Sequence, residues 1–225
     1  MMTREQIISE VERAGMIVIL RGLQTQQLVK TVDAMAKGGV ELVEVTFDQS
    51  GRISDEQTAE NIKVLRKTFE GRVLVGAGTV MSEAQVELAY AAGAEFIISP
   101  DSYESVIKRT VELGMVSIPG VFTATEAANA HRWGADFLKL FPMSEMKSSY
   151  LKALSAPLSH VRFLAVGGVT VDNLKEFFDA GAVGIGISSA IVDKKLIAAE
   201  DYDGITELAR KYTQAIEACK KDRER

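Results

Sequence analysis

The segment Phe137 to Pro142, FLKLFP, carries a lysine in the middle of an apolar run. Such a run predicts a short buried strand, on which successive side chains point to opposite faces, so Phe137, Lys139 and Phe141 share one face. Burial removes the hydration of an ammonium group and lowers its pKa, and the neutral amine that results can attack a carbonyl carbon. The alternative is a lysine at a strand end that extends its charge to solvent.

Three further polar side chains occur in or directly after apolar strands. Arg21 ends the first predicted strand, Glu44 lies inside the second, and Thr79 follows the third. If these side chains and Lys139 face one interior, that interior cannot hold an unpaired charge. Each alone could be a strand-end ion pair or a polar plug. Together, with a lysine and a carboxylate able to face each other, they indicate catalysis.

Two glycine- and serine-containing strand ends predict an anion site. Gly167 and Gly168 end one predicted strand and precede a helix, while Ser188 and Ser189 end the next strand. Glycines let backbone N–H groups approach an anion closely, and a helix N-terminus favours negative charge. In a barrel of alternating strands and helices, the loops after the last two strands are the usual phosphate site.

The elements that must position these residues alternate regularly. Eight apolar strands are predicted, at Ile17–Arg21, Leu42–Phe47, Val73–Gly78, Phe96–Ser99, Val116–Ile118, Phe137–Phe141, Arg162–Val166 and Val183–Ile187. Amphipathic helices separate them, which implies parallel pairing and burial of both strand faces. Ser82-x-x-Gln85 and Thr123-x-x-Glu126 fit capping boxes that begin two of these helices. One unit occupies roughly 28 residues, close to the size expected of a TIM (β/α)8 barrel.

We therefore predict one α/β domain, a TIM barrel over residues 1–225. An extra N-terminal helix begins at a capping box on Thr3 and ends at Gly15. A doubly wound open sheet would show the same alternation and is the alternative. One long polar connection, Asp48–Glu56, follows the second strand, where a barrel places an active-site loop.

Composition limits the class of protein. The net charge of −5 provides no basic surface, so neither nucleic acid nor an anionic membrane is an expected partner. The one cysteine, Cys219, excludes an internal disulfide and suits a reducing compartment. No apolar run approaches the length of a membrane span, and the first residues are too charged for a signal peptide. A soluble, cytoplasmic protein is expected.

Metal and cofactor motifs are weak. His131 and His160 lie on a predicted helix and in a loop, with no carboxylate or cysteine at ligand spacing, so both are expected at the surface. Gly76-Ala77-Gly78-Thr79 lacks the third glycine of a dinucleotide fingerprint, and no G-x-S-x-G motif occurs. We expect neither a metal ion nor a cofactor.

Six segments carry a resemblance to a known family, in order and at similar spacing from about Ile17 to Val192. They are Glu44-Val45-Thr46, Gly76-Ala77-Gly78-Thr79-Val80, Ile98-Ser99-Pro100, Ile118-Pro119-Gly120, Leu138-Lys139-Leu140-Phe141-Pro142 and Gly167-Gly168. In these segments the chain resembles the 2-keto-3-deoxy-6-phosphogluconate (KDPG) and 4-hydroxy-2-oxoglutarate (KHG) aldolases. The resemblance implies a class I, metal-independent aldolase on a TIM barrel, assembled as a homotrimer.

The resemblance also implies residue roles. Lys139 would form a Schiff base with the keto carbon of a 2-keto acid sugar phosphate, and Glu44 would be the general acid and base. Thr79 would hold the pyruvyl part, while Pro100 and Phe141 would line the pocket. The two glycine- and serine-containing strand ends would bind phosphate. The products would be pyruvate with glyceraldehyde 3-phosphate, or pyruvate with glyoxylate.

Three positions depart from many members of the family. Asp48 stands where they have an arginine for the substrate carboxylate, so Arg21 is expected to take that task. Asp101 is also unusual. Val166 replaces the threonine of gluconate-type members and matches galactonate-type relatives, so an aldolase for 2-keto-3-deoxy-6-phosphogalactonate (KDPGal) is an alternative. Outside this family, a phosphate-binding barrel of another reaction class would not need Lys139, and a sugar-phosphate binder would not turn substrate over.

Overall fold

The computed structural model describes residues 2–223, in which strands and helices alternate. The strands are β1 (Met16–Leu20), β2 (Leu42–Thr46), β3 (Leu74–Gly78), β4 (Phe96–Ile98), β5 (Val116–Ile118), β6 (Gly120–Val121), β7 (Leu138–Leu140), β8 (Phe163–Val166) and β9 (Gly184–Ile187). The helices are α1 (Arg4–Ala14), α2 (Thr25–Lys37), α3 (Asp55–Thr68), α4 (Glu83–Ala91), α5 (Glu104–Glu112), α6 (Ala124–Arg132), α7 (Ser148–Ser155), α8 (Leu174–Asp179), α9 (Lys194–Ala198) and α10 (Tyr202–Arg223). Each predicted strand is present to within one residue at either end.

The strands form one parallel sheet in the order β5-β4-β3-β2-β1-β9-β8-β7-β6. Its two edge strands, β5 and β6, are separated only by Pro119, so they are two pieces of one barrel strand. Across this break the N–H of Asp136 donates to Ser117 O at 3.0 Å, and the N–H of Lys139 donates to Pro119 O at 2.9 Å. The sheet therefore closes on itself. The predicted (β/α)8 barrel is confirmed, and the open doubly wound alternative is wrong.

The break at Pro119 was not predicted, because the sequence shows an apolar strand ending at Ile118. Proline has no N–H for the ladder. The next N–H, that of Gly120, donates instead to Asp101 O at 3.0 Å, in the loop after β4. A Cβ at Gly120 would lie 2.2 Å from Pro100 O, so only glycine allows this close approach.

Two separate apolar cores follow from the alternation of side chains along the strands. The inner core fills the barrel and consists of Ile17, Leu42, Phe96, Ile98, Val116, Ile118, Phe137, Leu164 and Val166, with Ile7 and Val11 of α1. The outer core lies between the sheet and the helices, and includes the alternate strand residues Val43, Val45, Leu138 and Leu140. Because α1 adds two buried side chains to the inner core, it closes the amino end of the barrel.

Helix ends agree with the predicted caps, with one exception. Thr3 and Thr123 form complete capping boxes, and Gly15 ends α1 in a left-handed conformation with φ 69°. Ser82 caps α4 by accepting from the N–H of Gln85, but the Gln85 side chain does not return the bond to Ser82. No helix among residues 2–223 combines the length and the apolar character that crossing a bilayer requires.

Candidate active site

Lys139 lies at the centre of β7, paired with Gly120 of β6 and Leu164 of β8. Its side chain points into the barrel and is only 8% exposed, so it does not extend its charge to solvent. Burial lowers the pKa of Lys139, the Glu44 carboxylate opposes that change, and the Arg21 guanidinium adds to it. The Lys139 ammonium also lies 4.8 Å from the centre of the Phe141 ring. The environment thus favours the neutral, nucleophilic amine.

Glu44 lies inside β2, paired with Ile19 of β1 and Gly76 of β3, and is 1% exposed. Burial raises its pKa to about 7, against the opposing effects of Lys139 and Arg21. Its Oε2 atom has no hydrogen-bond partner among the described residues, which leaves a buried acceptor free for a ligand. Glu44 can therefore both hold and release a proton near neutral pH.

Glycine at position 78 makes room for this carboxylate. A Cβ on Gly78, the last residue of β3, would lie 2.5 Å from Glu44 Oε1 and 2.6 Å from Glu44 Cδ. Glu44 and Lys139 line the same small interior cavity of 10 Å³, together with Val166. That volume is at the lower limit for a single water molecule, about 10–15 Å³, so a substrate must reach both groups from the open carboxyl end.

Arg21 and Thr79 meet at that carboxyl end. Arg21 follows β1 directly, and its Nη2 atom donates to Thr79 Oγ1 at 3.3 Å. Both residues line a cavity of 520 Å³ with the segment from Thr46 to Ile53. Arg21 is exposed, and its charge acts on Glu44 and Lys139. The structure thus brings together all four polar residues predicted from the strands.

Asp48 lines the same cavity as Arg21 and Thr79, and its carboxylate accepts hydrogen bonds from its own loop. Its Oδ1 atom accepts from Ser50 N at 3.0 Å and from Ser50 Oγ at 2.6 Å, and its Oδ2 atom accepts from Ile53 N at 3.2 Å. These bonds lower the pKa of Asp48. The polar connection after β2 is therefore a compact turn that ends at Ser54, the N-cap of α3.

The predicted anion site lies on neighbouring strands. Gly167 and Gly168 follow β8 with φ 92° and 71°, and Ser188 and Ser189 follow β9, whose Gly186 pairs with Val166. Ser189 is exposed, whereas Ser188 Oγ donates to Ile19 O at 3.3 Å.

The predicted helix follows the glycine pair, but at a distance of several residues. Helix α8 begins only at Leu174, because Asn173 Oδ1 accepts from Thr170 N at 2.7 Å and holds the preceding residues in a turn. Backbone N–H groups and the Ser189 hydroxyl are the donors available near the glycine pair, since the Ser188 hydroxyl donates to Ile19 O.

Pro100 and Phe141 lie on one side of the open carboxyl end of the barrel. They line a cavity of 440 Å³ that also contains Asp101 and Trp133. Phe141 is half exposed and lies against Lys139, but Pro100 does not line the interior cavity of Lys139 and Glu44. Pro100 follows β4, which lies two strands around the barrel from β2, the strand of Glu44, and two from β7, the strand of Lys139.

Two glutamines beside Thr79 were not predicted as part of the site. Gln49, in the loop after β2, donates from Nε2 to Thr79 O at 3.0 Å. Gln85, in α4, accepts at Oε1 from Met81 N at 2.9 Å and is 6% exposed. The only feature of the sequence that could have suggested a role for Gln49 is its position beside Asp48 in the polar loop. The S-x-x-Q pattern assigned Gln85 to a cap and so concealed its contact with Met81.

The predicted surface position of the two histidines is confirmed. His131 and His160 are exposed, with ring centres 4.8 Å apart. Within residues 2–223, no three histidine, cysteine or acidic side chains cluster as a metal site would require.

The chain is similar to several known proteins in sequence and in fold. The family described as KDPG and KHG aldolase matches residues 7–208. The chain is 37% identical to the 2-dehydro-3-deoxy-6-phosphogalactonate aldolase of Escherichia coli K12 over 77% of this chain and 82% of that protein. It is also similar to two solved structures. A native KDPGal structure has a TM-score of 0.82 at 33% identity, covering 92% of this chain and 96% of that one. The KDPG aldolase of Legionella pneumophila, with pyruvate captured as a covalent carbinolamine intermediate, has a TM-score of 0.78 at 26% identity, covering 90% and 96%.

Proposed function

The chain belongs to the KDPG and KHG aldolase family, and from this we propose that it is a class I aldolase that cleaves a 2-keto-3-deoxy-6-phosphosugar acid, 4-hydroxy-2-oxoglutarate, or both. The observation that carries the proposal is the buried pair of Lys139 and Glu44, whose pKa values are displaced towards each other. A lysine and a carboxylate that both titrate closer to neutral pH can exchange protons at the reacting carbon. A barrel that only binds a sugar phosphate has no need of such a pair.

Lys139 is the proposed nucleophile. Its neutral amine attacks the C2 carbonyl of the substrate to form a carbinolamine, and loss of water gives an iminium ion. When the C3–C4 bond breaks, the iminium accepts the electron pair and becomes an enamine. Protonation of the enamine at C3 and hydrolysis return pyruvate and the free amine. The covalent pyruvate carbinolamine in the Legionella relative supports this sequence of steps.

Glu44 is the proposed proton carrier. As an acid it protonates the departing hydroxyl of the carbinolamine, and as a carboxylate it removes the C4 hydroxyl proton while the aldehyde leaves. No described residue hydrogen-bonds Glu44 Oε2, which supports this role because the carboxyl group is not engaged elsewhere at that atom.

Arg21 and Thr79 are the proposed binders of the C1 carboxylate. A guanidinium can hold a carboxylate through two parallel hydrogen bonds, and Arg21 is already directed towards Thr79 Oγ1. The distal phosphate is assigned to the backbone of Gly167 and Gly168 and to Ser188 and Ser189. Pro100 and Phe141 are assigned to the apolar wall.

We propose that the enzyme either discriminates little between the C4 epimers KDPG and KDPGal or mildly prefers KDPGal. Val166 lies in the same interior cavity as Lys139 and Glu44, and a valine there offers the C4 hydroxyl neither a donor nor an acceptor. One missing hydrogen bond removes roughly 0.5–1.5 kcal/mol of discrimination. The 37% identity to a galactonate-type enzyme supports the same direction.

The remaining assignments belong to the same proposal. The enzyme acts as a single catalytic domain, without a metal ion or cofactor, because the iminium supplies the electrophile. It works in the cytoplasm and assembles as a homotrimer. In support of assembly, the large apolar side chains of Met81, Tyr90 and Tyr103 are exposed around α4 and α5.

Release of pyruvate from KDPG, KDPGal and KHG, with a chelator present, tests the proposed function. We expect turnover of at least one substrate, no loss with the chelator, and none at all in Lys139→Ala. We also expect Val166→Thr to shift kcat/KM towards KDPG. Binding without turnover would favour a sugar-phosphate binder. A strong wild-type preference for KDPG would contradict the role given to Val166.

A further inference from the structure

Thr79 has a backbone conformation that is unusual for its residue type. Its φ of 53° lies in the left-handed region, where a β-branched side chain is strained. Such a conformation persists only when the surroundings hold it. Thr79 directly follows β3, and its hydroxyl is the group that meets Arg21. The strained backbone therefore sets the direction of a proposed substrate-binding side chain.

Two glutamine side chains hold the backbone around Thr79. Gln49 Nε2 donates to Thr79 O at 3.0 Å, and Gln85 Oε1 accepts from Met81 N at 2.9 Å. Between them, the N–H of Val80 donates to Ile98 O at 3.2 Å. Three consecutive residues are thus each fixed through a backbone polar group.

The two glutamines are themselves connected and anchored. Gln49 Nε2 lies 3.4 Å from Gln85 Oε1, and Gln85 Nε2 donates to both carboxylate oxygens of Asp55, at 3.3 and 3.1 Å. Asp55 begins α3, and Gln49 belongs to the turn that Asp48 holds together. The connection between β2 and α3 therefore supplies both ends of one hydrogen-bond network, with the buried Gln85 at its centre.

We propose that Gln49 and Gln85 are positioning residues, which hold Thr79 in its left-handed conformation and so direct its hydroxyl and Arg21 towards the carboxylate of the keto acid. Neither glutamine is hydrogen-bonded to Lys139 or Glu44, so both act through Thr79. This inference rests on the proposed function, since it takes Arg21 and Thr79 as the carboxylate binders. It gives the loop after β2 a task that its sequence alone does not reveal.

The test compares Gln49→Met and Gln85→Met, which keep side-chain length but remove the amide, with Ser82→Ala. Ser82 caps α4 through Gln85 N, and among the described residues its side chain has no hydrogen bond to Thr79, so its loss is expected to weaken the helix alone. We expect each glutamine variant to raise KM for the substrate and Kd for pyruvate about 3- to 10-fold, the effect of one ordinary hydrogen bond, with a smaller change in kcat. Ser82→Ala should lower Tm and leave KM unchanged.

A second measurement keeps the inference testable if a variant is simply less stable. Glycine adopts a positive φ without support from neighbouring residues. In a Thr79→Gly background, Gln49→Met should therefore lower the free energy of unfolding less than it does in the wild-type background. It should also leave the pyruvate affinity of that background unaltered. An equal cost in both backgrounds, or a KM increase in Ser82→Ala equal to that in Gln49→Met, would overturn the inference.

Arg21→Ala separates this inference from the proposed function. If Arg21→Ala weakens pyruvate binding and neither glutamine variant does, only the positioning role is wrong. If Arg21→Ala has no effect on pyruvate binding, the proposed carboxylate site itself is wrong.

Discussion

The two ionisable groups inside the barrel influence each other's protonation. Burial lowers the pKa of Lys139 and raises that of Glu44 to about 7. Their mutual attraction opposes both changes, so neither group is locked in its neutral form. This balance is what a proton-transfer pair at neutral pH needs, and it costs stability, because both groups would ionise freely in the unfolded chain.

Replacement of Glu44 by glutamine tests both the role of this residue in proton transfer and its effect on the stability of the fold. We expect kcat of Glu44→Gln to fall by about 10²–10⁴-fold, the usual contribution of general acid–base catalysis. In the wild type, kcat should change through a group that titrates at about pH 7, and this dependence should be absent in the variant.

The effect on stability has a defined sign. Between about pH 4.5 and about 7 the folded protein keeps a proton on Glu44 that the unfolded chain releases, so the wild-type free energy of unfolding falls as pH rises. Glu44→Gln lacks this fall. Urea denaturation measures the free energy of unfolding of both proteins. From pH 4.5 to 8 this free energy should increase in Glu44→Gln relative to the wild type by up to about 3 kcal/mol. Parallel curves for the two proteins would show that Glu44 does not carry the raised pKa.

The side chains that share one face of a strand could be predicted from the sequence, but hydrogen bonds to turns could not. Lys139, Glu44 and Arg21 were predicted because a period of two places side chains on one face whatever the rest of the chain does. Thr79 was predicted only from its place directly after β3. Gln49 and Gln85 were missed because their bonds depend on the path of a turn, and the left-handed conformation of Thr79 has no signature in a threonine.

At the scale of elements, the site is assembled from strand ends. Arg21 follows β1, Thr79 follows β3, and the glycine pair follows β8, so the parallel direction of the sheet gathers them at one end. Strand positions could be predicted because apolar runs between helices are unambiguous in an α/β barrel. The start of α8 could not, because Asn173 accepts from Thr170 N and delays the helix after Gly168.

The phosphate loops can be tested without damage to the backbone by changing Ser189. Gly168 is unsuitable, because its φ is 71° and a Cβ there would lie 2.7 Å from Ser144 Cα. Ser189 is exposed, and Ser189→Asp places a carboxylate beside the proposed phosphate. We expect kcat/KM for the phosphorylated substrates to fall by about tenfold or more through like-charge repulsion, with that for KHG nearly unchanged. Ser189→Asn is the neutral control of equal size. Equal losses on both substrates would place the phosphate elsewhere.

At the scale of the whole molecule, the barrel is closed at one end and open at the other. Ile7 and Val11 of α1 pack into the inner core at the amino end. Arg4 pins this helix by donating to Asp136 at 2.9 and 3.1 Å and to Gly134 O at 2.9 Å. Lys139 and Glu44 therefore lie between the apolar side chains of α1 and the open carboxyl end of the barrel. Helix α1 was predicted from the capping box on Thr3, whereas its packing into the barrel and its ion pair across 132 residues were not.

The central claim is that Lys139 is the Schiff-base nucleophile. Incubation with pyruvate and sodium borohydride, followed by peptide mass spectrometry, tests it most directly, because borohydride reduces an iminium to a stable secondary amine. We predict a single pyruvate adduct on Lys139, absent without pyruvate and absent in Lys139→Arg, which keeps the charge at that position. An adduct on another lysine, or no adduct in a protein that cleaves its substrate, would contradict the account.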